Sequence, residues 1–482
     1  MMLIELSRPH CVFKTRHRLM RTFCNTSSTP SQPFKLTVRQ VFDEHRYRDY
    51  SFLANKAVPT EASYSITDIT KGTIGHFLPR GYPHSVAINY GTFAMGQLTS
   101  SVLGTACGVL SMQSMLFAMG AGSGSLPLAA TLNWIIKDGV GQFGGILFAS
   151  MINNRFDADP KRWRMISGIS LDLASFIELM TPLAPAYFLP MACVANVGKN
   201  IAYLSASASR AAIHKSFAKH ENLADVTAKS GSQSIVGSLV GTSLGLSIAA
   251  TVGQNYPYTL SAFVVCSLLS LTATYRSLQA VTVTTMSIDR LEALLADYLQ
   301  QRAASTGPNL SILTPAQLLA KEYLLGTAPS GLLPVQIGAP LHEAVRSAEH
   351  MTTISALYAQ EEYLLTSYSA SPGQAEVYLL YKENASLPGM LAGLMHSYVL
   401  RCKLHDLGMG ATPDKRWPWR KLSRDQSVPC VFHGDLLAQS LEELRRMGLA
   451  KDFAGLLLSE QEASRWCVDA LMLEPRRARV RM

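Results

Sequence analysis

The chain has 482 residues, enough for two or three domains, and its formal net charge of +9 is unevenly distributed. Its eight cysteines are scattered without a CxxC pair, so neither a zinc site nor a disulfide framework is indicated. The basic residues form no nucleic-acid-binding motif and are not interleaved with aromatic residues, so a nucleic-acid partner is rejected.

Residues 1–45 have the composition of an organellar presequence followed by a linker. Residues 1–42 hold seven Lys or Arg and one acid, Glu5, and a patch rich in Ser and Thr occupies 25–33. No uninterrupted apolar core follows the early basic residues, so a secretory signal is not indicated. We expect import into a plastid or mitochondrion and residence in an organellar membrane. Another intracellular membrane and a merely disordered basic tail are the alternatives.

The region 46–285 is predicted to form an apolar helical domain. Its first part, 46–85, is a segment of mixed composition that precedes the apolar helices. No Asp, Glu, Lys or Arg occurs over the 56 residues of 81–136 or the 46 residues of 230–275. Runs of this length must be buried in protein or in lipid. Glycine and proline breaks divide the region into six or seven helices. Their expected bounds are 86–106, 108–121, 128–153, 161–182, 187–211, 232–253 and 258–284.

Small residues recur every four positions in this domain and therefore lie along single helix faces. Gly237, Gly241 and Gly245 belong to one such stripe, and Gly104 and Gly108 to another. Helices in lipid associate through close backbone approach over small residues, whereas soluble bundles favour larger apolar side chains. The five glycines are therefore predicted to be helix-packing positions in a transmembrane bundle. A soluble interaction protein with a buried apolar core is the alternative.

The last third, 286–482, reads as a smaller, soluble α+β domain, which makes the whole chain mostly α. The segment from Ser287 to Arg302 has helical spacing and mixed charge. Two apolar runs at 361–368 and 375–383 flank a Pro-Gly turn and predict a β-hairpin. Further helices are expected at 386–404, 435–448 and 459–472.

Charged residues inside the apolar domain are the candidates for binding a small charged solute, because such residues are costly there and are usually paired or functional. They are Lys137, Asp138, Asp172, Glu178, Lys199 and Arg210. Asp172 is expected to be partnered by a cation such as Lys137, Lys199 or Arg210. For Lys137 and Asp138, an interfacial charge at a helix end is the alternative, because adjacent residues point in different directions on a helix.

No enzymatic site is predicted. The Gly-x-Ser-x-Gly sequence at 241–245 lies inside a helix rather than between a strand and a helix, so catalysis by Ser243 is not expected. The glycine-rich segment 120–124 lacks the Lys-Ser/Thr of a phosphate-binding loop. His214 and His220 are six residues apart and face different ways, which makes a poor metal site. We therefore expect no cofactor and no metal.

Five stretches, taken in order, resemble the root UV-B sensitive (RUS) family. They are FLPRGYPHSV (77–86), SMQSMLFAMGAG (111–122), TLNWIIKDGVGQFGGILFAS (131–150), DADPKRWRMISGISLDLASFIEL (157–179) and GKNIAYLSASASRAAIHKSFAKHENLADVTAKSGSQ (198–233). The resemblance spans roughly residues 60–290, and one departure is Arg80, where many relatives have an acid. The C-terminal third matches poorly.

The resemblance implies a link to seedling development, light-dependent root growth and vitamin B6 balance, with some plant members in plastids and animal relatives in membranes. It supplies no catalytic residue. Together with the residue patterns it predicts a non-enzymatic membrane protein that acts as a scaffold or in transport or sensing of a small metabolite. Its expected partners are membrane lipid, a small metabolite and another member of the RUS family.

Overall fold

The computed structural model describes residues 36–43, 46–53, 56–59, 75–120, 128–152, 155–219, 221–252, 255–304, 310–322, 324, 332–369, 375–409, 431–459, 466–472 and 479–480. The chain divides into two compact units, Met1–Gly72 and Thr73–Met482. In the first, β1 (Leu36–Asp43), β2 (Arg46–Leu53) and β3 (Lys56–Pro59) form an antiparallel sheet. Of the presequence and linker predicted at 1–45, residues 1–35 and 44–45 lie outside the described residues, and 36–43 form β1.

The second unit begins with a helical bundle, and in the described residues between 86 and 285 six of its helices are long. They are α1 (Tyr90–Ala118), α2 (Leu128–Ile152), α4 (Pro160–Leu179), α5 (Phe188–Phe217), α6 (Leu223–Val252) and α7 (Tyr256–Gln279). A single turn, α3 (Arg155–Ala158), precedes α4, and two 3₁₀ turns, Thr181–Leu183 and Pro185–Tyr187, precede α5.

Four predicted helix boundaries are wrong. Two are ends: α5 ends at Phe217, six residues after the expected 211, and α7 ends at Gln279, five residues before the expected 284. The break expected near residue 107 does not exist, and α1 continues through it. Cys107 is fully buried there, and its packing offsets the roughly 1 kcal/mol that Gly108 costs inside a helix. The sixth helix begins at Leu223, nine residues before the expected 232, because the polar residues in its first turns still fit a helix at the end of the bundle.

Helix directions follow from the contacts of α1. Its Gln97 and Ser100 bond to Ser277 and Thr274 of α7, so α1 and α7 are antiparallel. Successive glycines of α6 meet successive turns of α1, so these two are parallel. In the resulting up-and-down bundle, one end contains Tyr90, Ile152, Pro160, Phe217, Leu223 and Gln279, and we call it the charged end. The opposite, charge-free end contains Ala118, Leu128, Leu179, Phe188, Val252 and Tyr256.

The bundle exposes apolar side chains and buries hydroxyl groups. Exposed large apolar residues follow α2, α6 and α7, with Ile146, Leu239 and Leu268 each more than 60% exposed. Buried hydroxyls include Ser111, Ser205, Ser209, Ser270, Thr274 and Ser277. Among the described residues, four segments are long and apolar enough to cross a membrane: Tyr90–Ala118, Pro160–Leu183, Leu223–Val252 and Tyr256–Gln279. That all six or seven predicted helices span a membrane stays a prediction.

The C-terminal part packs helices against a mixed sheet around one apolar core. Strand β7 (Ala375–Lys382) pairs antiparallel with β6 (Tyr363–Ser369), which confirms the predicted hairpin. On its other side β7 pairs with β5 (Val335–Ile337) and β10 (Arg479–Val480), and β6 pairs with β8 (Val431–Phe432). The helices are α8 (Ile288–Ala304), α9 (Pro315–Leu319), α10 (Leu341–Ala344), α11 (Ala348–Leu357), α12 (Leu387–Asp406), α13 (Gly434–Met447) and α14 (Leu449–Leu457).

The helices predicted from residue 287, at 386–404 and at 435–448 are confirmed as α8, α12 and α13. The helix predicted at 459–472 is wrong, because Cys467–Met472 forms a strand, β9. It pairs in parallel with β4 (Thr285–Ser287), the segment that leads out of the bundle. A pairing partner almost two hundred residues away overrides the local helical pattern. These elements share one compact unit with the bundle, and a domain boundary at residue 285 stays a prediction.

Candidate functional site

A buried ion pair connects α4 and α5 inside the bundle. Glu178 of α4 bonds to Lys199 of α5, and the Glu178 side chain is only 3% exposed. Ser111 of α1 donates a second hydrogen bond to the same carboxylate oxygen over 3.1 Å. Three helices thus direct polar groups at one point, in surroundings that are otherwise apolar. A buried carboxylate without such partners would be strongly destabilising.

A second ion pair lies between α2 and α5. Lys137 and Asp138, adjacent in α2, are joined Nζ to Oδ1 over 2.7 Å, with the lysine side chain 7% exposed and the aspartate 46% exposed. Asn196 of α5 donates to the Lys137 carbonyl at 3.0 Å and to Asp138 Oδ1 at 3.1 Å. The Lys137 ammonium also lies 4.5 Å from the centre of the Trp134 ring, within the range of a cation–π contact.

Helix α5 carries Asn196 and Lys199 one turn apart, and so connects the two ion pairs. We call Ser111, Lys137, Asp138, Glu178, Asn196 and Lys199 the polar layer. The close approach of α2 to α5 depends on small residues: a Cβ on Gly144 would lie 2.8 Å from the Val197 side chain, and one on Gly145 would lie 3.2 Å from Asn200. Gly198 likewise faces Ala174 of α4. The sequence motif at 196–200 therefore supplies both the polar groups and the space for neighbouring helices.

The polar layer can neutralise a ligand that carries both signs of charge. It presents two ammonium groups and two carboxylates, each already matched within the protein, together with a serine hydroxyl and an amide. In the part of the chain that the structure describes, no group of three or more His, Cys, Asp or Glu could hold a metal ion. Such an arrangement can bind by exchanging ion-pair partners.

Asp172 lies apart from the polar layer, on the face of α4 that meets α7. The expectation of a cationic partner for it is wrong: Ser267 of α7 donates to Asp172 Oδ2 over 2.6 Å, and no described lysine or arginine forms an ion pair with it. Lys199 and Lys137 are engaged by Glu178 and Asp138 instead. Because Asp172 and Glu178 are six residues apart, one helix cannot aim both at the same neighbour.

Arg210 is exposed on α5, toward the charged end, and does not join the polar layer. Sequence reasoning missed Ser111, Asn196 and Ser267, since uncharged polar residues do not stand out in an apolar segment. It also missed a contact between α1, α4 and α7, in which Arg164 donates to the Gln97 side-chain oxygen at 2.7 Å and Gln97 donates to Ser277 at 2.6 Å.

The glycines predicted to pack helices have different surroundings. A Cβ on Gly237 would lie 2.8 Å from the Ser101 hydroxyl, and one on Gly245 would lie 2.8 Å from Val109. At Gly241 it would overlap the Val102 carbonyl oxygen, so α6 contacts the α1 backbone directly. Gly104 has ordinary contact with Ser270 at 3.7 Å. The prediction that Gly108 packs against a neighbouring helix is wrong, because no atom of the described residues lies within 4 Å of a Cβ added there.

The apparent nucleophile Ser243 lies within α6 and donates to the Leu239 carbonyl of its own helix at 3.0 Å. That geometry is a helical hydroxyl bonding back one turn, and the serine does not occupy a strand-to-helix turn. His214 is buried and its Nδ1 lies 3.1 Å from the Thr227 hydroxyl, which joins α5 to α6. His220 lies outside the described residues.

Comparison with known proteins identifies relatives of one kind. Residues 65–302 match a family model described as "Vitamin B6 photo-protection and homoeostasis domain". Root UVB sensitive 6 of Arabidopsis thaliana is 31% identical over 333 residues, which are 68% of this chain and 64% of that protein. Root UVB sensitive 2, chloroplastic, of the same plant is 31% identical over 325 residues, 67% of this chain and 72% of its own length.

RUS family member 1 of Dictyostelium discoideum is 31% identical over 270 residues, 55% of this chain and 49% of that protein. The chain thus spans between half and about three-quarters of the length of these three relatives. No solved structure matches it. The matched region contains all six long helices and ends in α8.

Proposed function

Because the chain belongs to the root UVB sensitive family, we propose that it is a non-enzymatic membrane protein that binds a small charged metabolite in its polar layer, in a transport or sensing role. The description of the matched domain directs the choice of metabolite to the vitamin B6 group. The observation that carries the proposal is the polar layer itself, two lysine–carboxylate pairs inside an apolar bundle.

The outward apolar surface supports the membrane part of this proposal. Only 17% of the most apolar stretch of α6 is buried within the protein, so most of its apolar surface needs another partner. A soluble monomer rarely exposes a contiguous apolar surface larger than a few hundred Å². Lipid is the partner that can cover the exposed faces of α2, α6 and α7 together.

The composition of the polar layer supports the binding part. Charges in the interior of a membrane protein are costly, and they are typically found along solute pathways and at binding sites. Vitamin B6 compounds combine a titratable ring nitrogen with a phenolic oxygen, and some add an amine or a phosphate. A ligand of this kind could exchange with Lys199 and Glu178, because it offers a group of each sign.

The proposal is tested with full-length protein in lipid nanodiscs, by its thermal unfolding with and without pyridoxine, pyridoxamine and pyridoxal 5′-phosphate. We expect at least one of these to raise the unfolding temperature of the wild type. The double variant Glu178→Gln/Lys199→Met should lose the effect, because it removes both charges and leaves neither unpaired.

Lys215→Met is the matched control, since Lys215 lies on the same helix but is exposed near its end. It should respond to ligand like the wild type. If none of the three compounds changes unfolding of the wild type, vitamin B6 binding is wrong. If the double variant responds fully, the polar layer is not the site.

A soluble interaction protein whose apolar core is merely buried is the second candidate. Alkaline carbonate extraction distinguishes the two, because a membrane-spanning bundle stays with the pellet and a soluble or peripheral protein enters the supernatant. Because α2, α6 and α7 expose apolar surfaces, we expect the protein to stay in the pellet.

We place the protein in a plastid or mitochondrial membrane, on the composition of residues 1–42 and on the chloroplastic name of one relative. Another intracellular membrane is the alternative. A reporter fused behind residues 1–42 should enter one of these organelles, and a diffuse cytosolic signal would contradict this. Lipid, a small metabolite and a second RUS family member are the partners we propose, and nucleic acid is not among them.

A further inference from the structure

A second polar cluster lies at the charged end, where the bundle meets the C-terminal part. Lys161, at the start of α4, bonds to Glu322, and Arg290 of α8 donates to the other oxygen of the same carboxylate at 2.7 Å. Arg290 also reaches the Asp159 carboxylate at 3.3 Å. Burial raises the pKa of Glu322, but Arg290 and Lys161 outweigh it and lower that pKa below its usual value. The carboxylate therefore stays charged and holds both cations in place.

A cavity of about 550 Å³ opens beside this cluster. Volumes of 300–1,000 Å³ are typical of small-molecule sites. Helix α4 contributes Lys161 to the cavity wall, and the end of α7 contributes polar groups. The full lining is Lys161, Tyr275, Gln279, Ala316, Leu319, Ala320, Lys321, Glu322 and Leu324. The lining therefore combines four apolar residues with two ammonium groups, a phenol, an amide and one carboxylate.

The Lys161 ammonium has hydrogen-bonding capacity to spare. Its side chain is only 3% exposed, and an ammonium has three N–H donors. Within the described residues, Glu322 is the acceptor that the structure places on it. A buried donor without an acceptor is destabilising, so the cavity that Lys161 lines should supply acceptors.

The charges of the lining residues determine which kind of hydrogen-bond acceptor the cavity favours. Lys161 and Lys321 carry two positive charges at the cavity wall, and Glu322 carries one negative charge that is already shared between Lys161 and Arg290. Lys321 is 55% exposed and bonds to Asp297 at 2.9 Å, so it can turn toward a ligand at little cost. The unused donors of Lys161, which is one of two cations beside one carboxylate in the lining, favour an anion, and the apolar lining residues Leu319 and Leu324 favour a ligand with a hydrocarbon or aromatic body.

We propose that this junction cavity binds a small amphipathic molecule through its phosphate group, with Lys161 as the principal ligand-binding residue. The phosphate could belong to a soluble phosphorylated metabolite or to a lipid headgroup, since the cavity lies at the charged end of the bundle. The site is separate from the polar layer, because Lys161 and Glu178 lie near opposite ends of α4, about 25 Å apart along its axis.

Two variants of the full-length protein test the site. Lys161→Met removes the ammonium but leaves Glu322 with Arg290. Ala320→Trp fills the cavity without touching the ion cluster, because Ala320 is an exposed lining residue. Ala303→Trp is the matched control, an exposed alanine of α8 that does not line the cavity. All are reconstituted in nanodiscs of neutral phosphatidylcholine.

The soluble arm measures the binding of pyridoxal 5′-phosphate and its competition by inorganic phosphate. The lipid arm adds phosphatidylglycerol or phosphatidylserine to these nanodiscs and measures its retention by native mass spectrometry. We expect phosphate-dependent binding in one arm, weakened about tenfold or more by Lys161→Met, as for loss of one charge-assisted hydrogen bond. Ala320→Trp should weaken it similarly, and Ala303→Trp should bind like the wild type.

The two arms identify the source of the phosphate, and the variants identify the site. Binding in the soluble arm alone means a metabolite, and retention in the lipid arm alone means a headgroup. The proposal is overturned if neither arm shows binding, or if both cavity variants bind like the wild type. The double variant Glu178→Gln/Lys199→Met should leave this binding intact, so failure of the polar-layer proposal and failure of this one are distinguishable.

Discussion

At the scale of single residues, the Glu178–Lys199 pair is the most sensitive point of the bundle. Glu178→Gln should reduce the free energy of unfolding by about 3 kcal/mol, because it leaves the Lys199 ammonium without its counter-charge in an apolar interior. The double variant Glu178→Gln/Lys199→Met should recover most of this loss, since no unpaired charge remains. Denaturation in detergent measures both.

Asp172→Asn is the comparison for that result. Asparagine can still accept from Ser267, so its cost should be well below that of Glu178→Gln. Equal losses of unfolding free energy for the two single variants would mean that replacing any buried carboxylate by an amide has this cost, and that the ion pair does not account for it.

His396 gives the C-terminal part a predictable dependence on pH. It is fully buried between the Tyr363 hydroxyl at 3.1 Å and the Ser440 hydroxyl at 2.8 Å. Burial lowers its pKa to about 3, so the folded state binds fewer protons than the unfolded state between pH 3 and 6.5. Stability is therefore present above pH 6.5 and is lost as the pH falls. Between pH 7 and pH 5 the loss should be about 2 kcal/mol.

Hydrogen exchange of the backbone amides in β6 and α12, corrected for intrinsic rates, measures this loss locally. His396→Gln should flatten the pH dependence, because glutamine keeps hydrogen-bonding capacity and does not titrate. An undiminished loss in that variant would assign the pH dependence to other groups.

The residue scale also shows what sequence reasoning can find. Lys137, Glu178 and Lys199 could be selected because a charge in an apolar segment is conspicuous. The pairing among them could not be predicted, because it depends on how α2, α4 and α5 cross. The junction residues Lys161, Arg290 and Glu322 were not selected as site residues for a different reason: each lies in a polar stretch where a charge is ordinary.

At the scale of helices, the small-residue stripe of α6 determines its distance from α1. Gly241→Leu should lower the free energy of unfolding by about 1–3 kcal/mol, since even a Cβ there overlaps the Val102 carbonyl and lies 2.8 Å from Thr105. Thermal unfolding of the variant in nanodiscs measures the effect.

Gly108→Leu is the matched control on α1, because no atom lies within 4 Å of its added Cβ. Leucine is also the better helix former, so this variant should be neutral or slightly stabilising. If both variants behave alike, close contact at Gly241 is not what holds the two helices together.

Four-residue spacing predicted that glycines would line helix faces, but it could not say which face would meet a neighbour. Gly241 and Gly108 have the same kind of spacing and opposite surroundings. The difference arises from the partner: α1 lies against the stripe of α6, whereas no atom of the described residues lies within 4 Å of a Cβ on Gly108. Spacing alone also could not reveal that α1 is one continuous helix rather than two.

At the scale of the whole molecule, the bundle has a strong charge asymmetry. The segments that connect helices at the charge-free end, 119–127, 180–187 and 253–255, contain no Asp, Glu, Lys or Arg. The charged end holds Arg162, Lys215, Lys219, Lys229 and Arg276. Since basic residues stay on the side from which a membrane protein is inserted, the charged end should face the cytosol, stroma or matrix.

Cysteine labelling in sealed vesicles tests this orientation, starting from a variant in which all eight cysteines are replaced. Lys219→Cys and Asn255→Cys both place a thiol at an exposed position, at opposite ends of the bundle. An impermeant maleimide applied from the stromal or cytosolic side should label position 219 at once and position 255 only after permeabilisation. The reverse order of labelling would mean that the charged end faces the opposite side of the membrane.

The position of α1 has a consequence for how the protein is made. Of the six long helices of the bundle it is synthesised first, yet it contacts α4, α6 and α7, and the α7 residues that complete its packing follow 170 to 180 residues after the α1 residues that they contact. In the ribosome-bound chain, the Ser114 hydroxyl can already bond to the Leu110 carbonyl of its own helix, as it does in the finished protein, but Glu178, the α4 partner of Ser111, has not yet been made. If the bundle spans a membrane as proposed, the first of its long helices to enter the bilayer is thus among the last to be enclosed by its partners, and lipid covers the α6 and α7 faces of α1 until those helices follow.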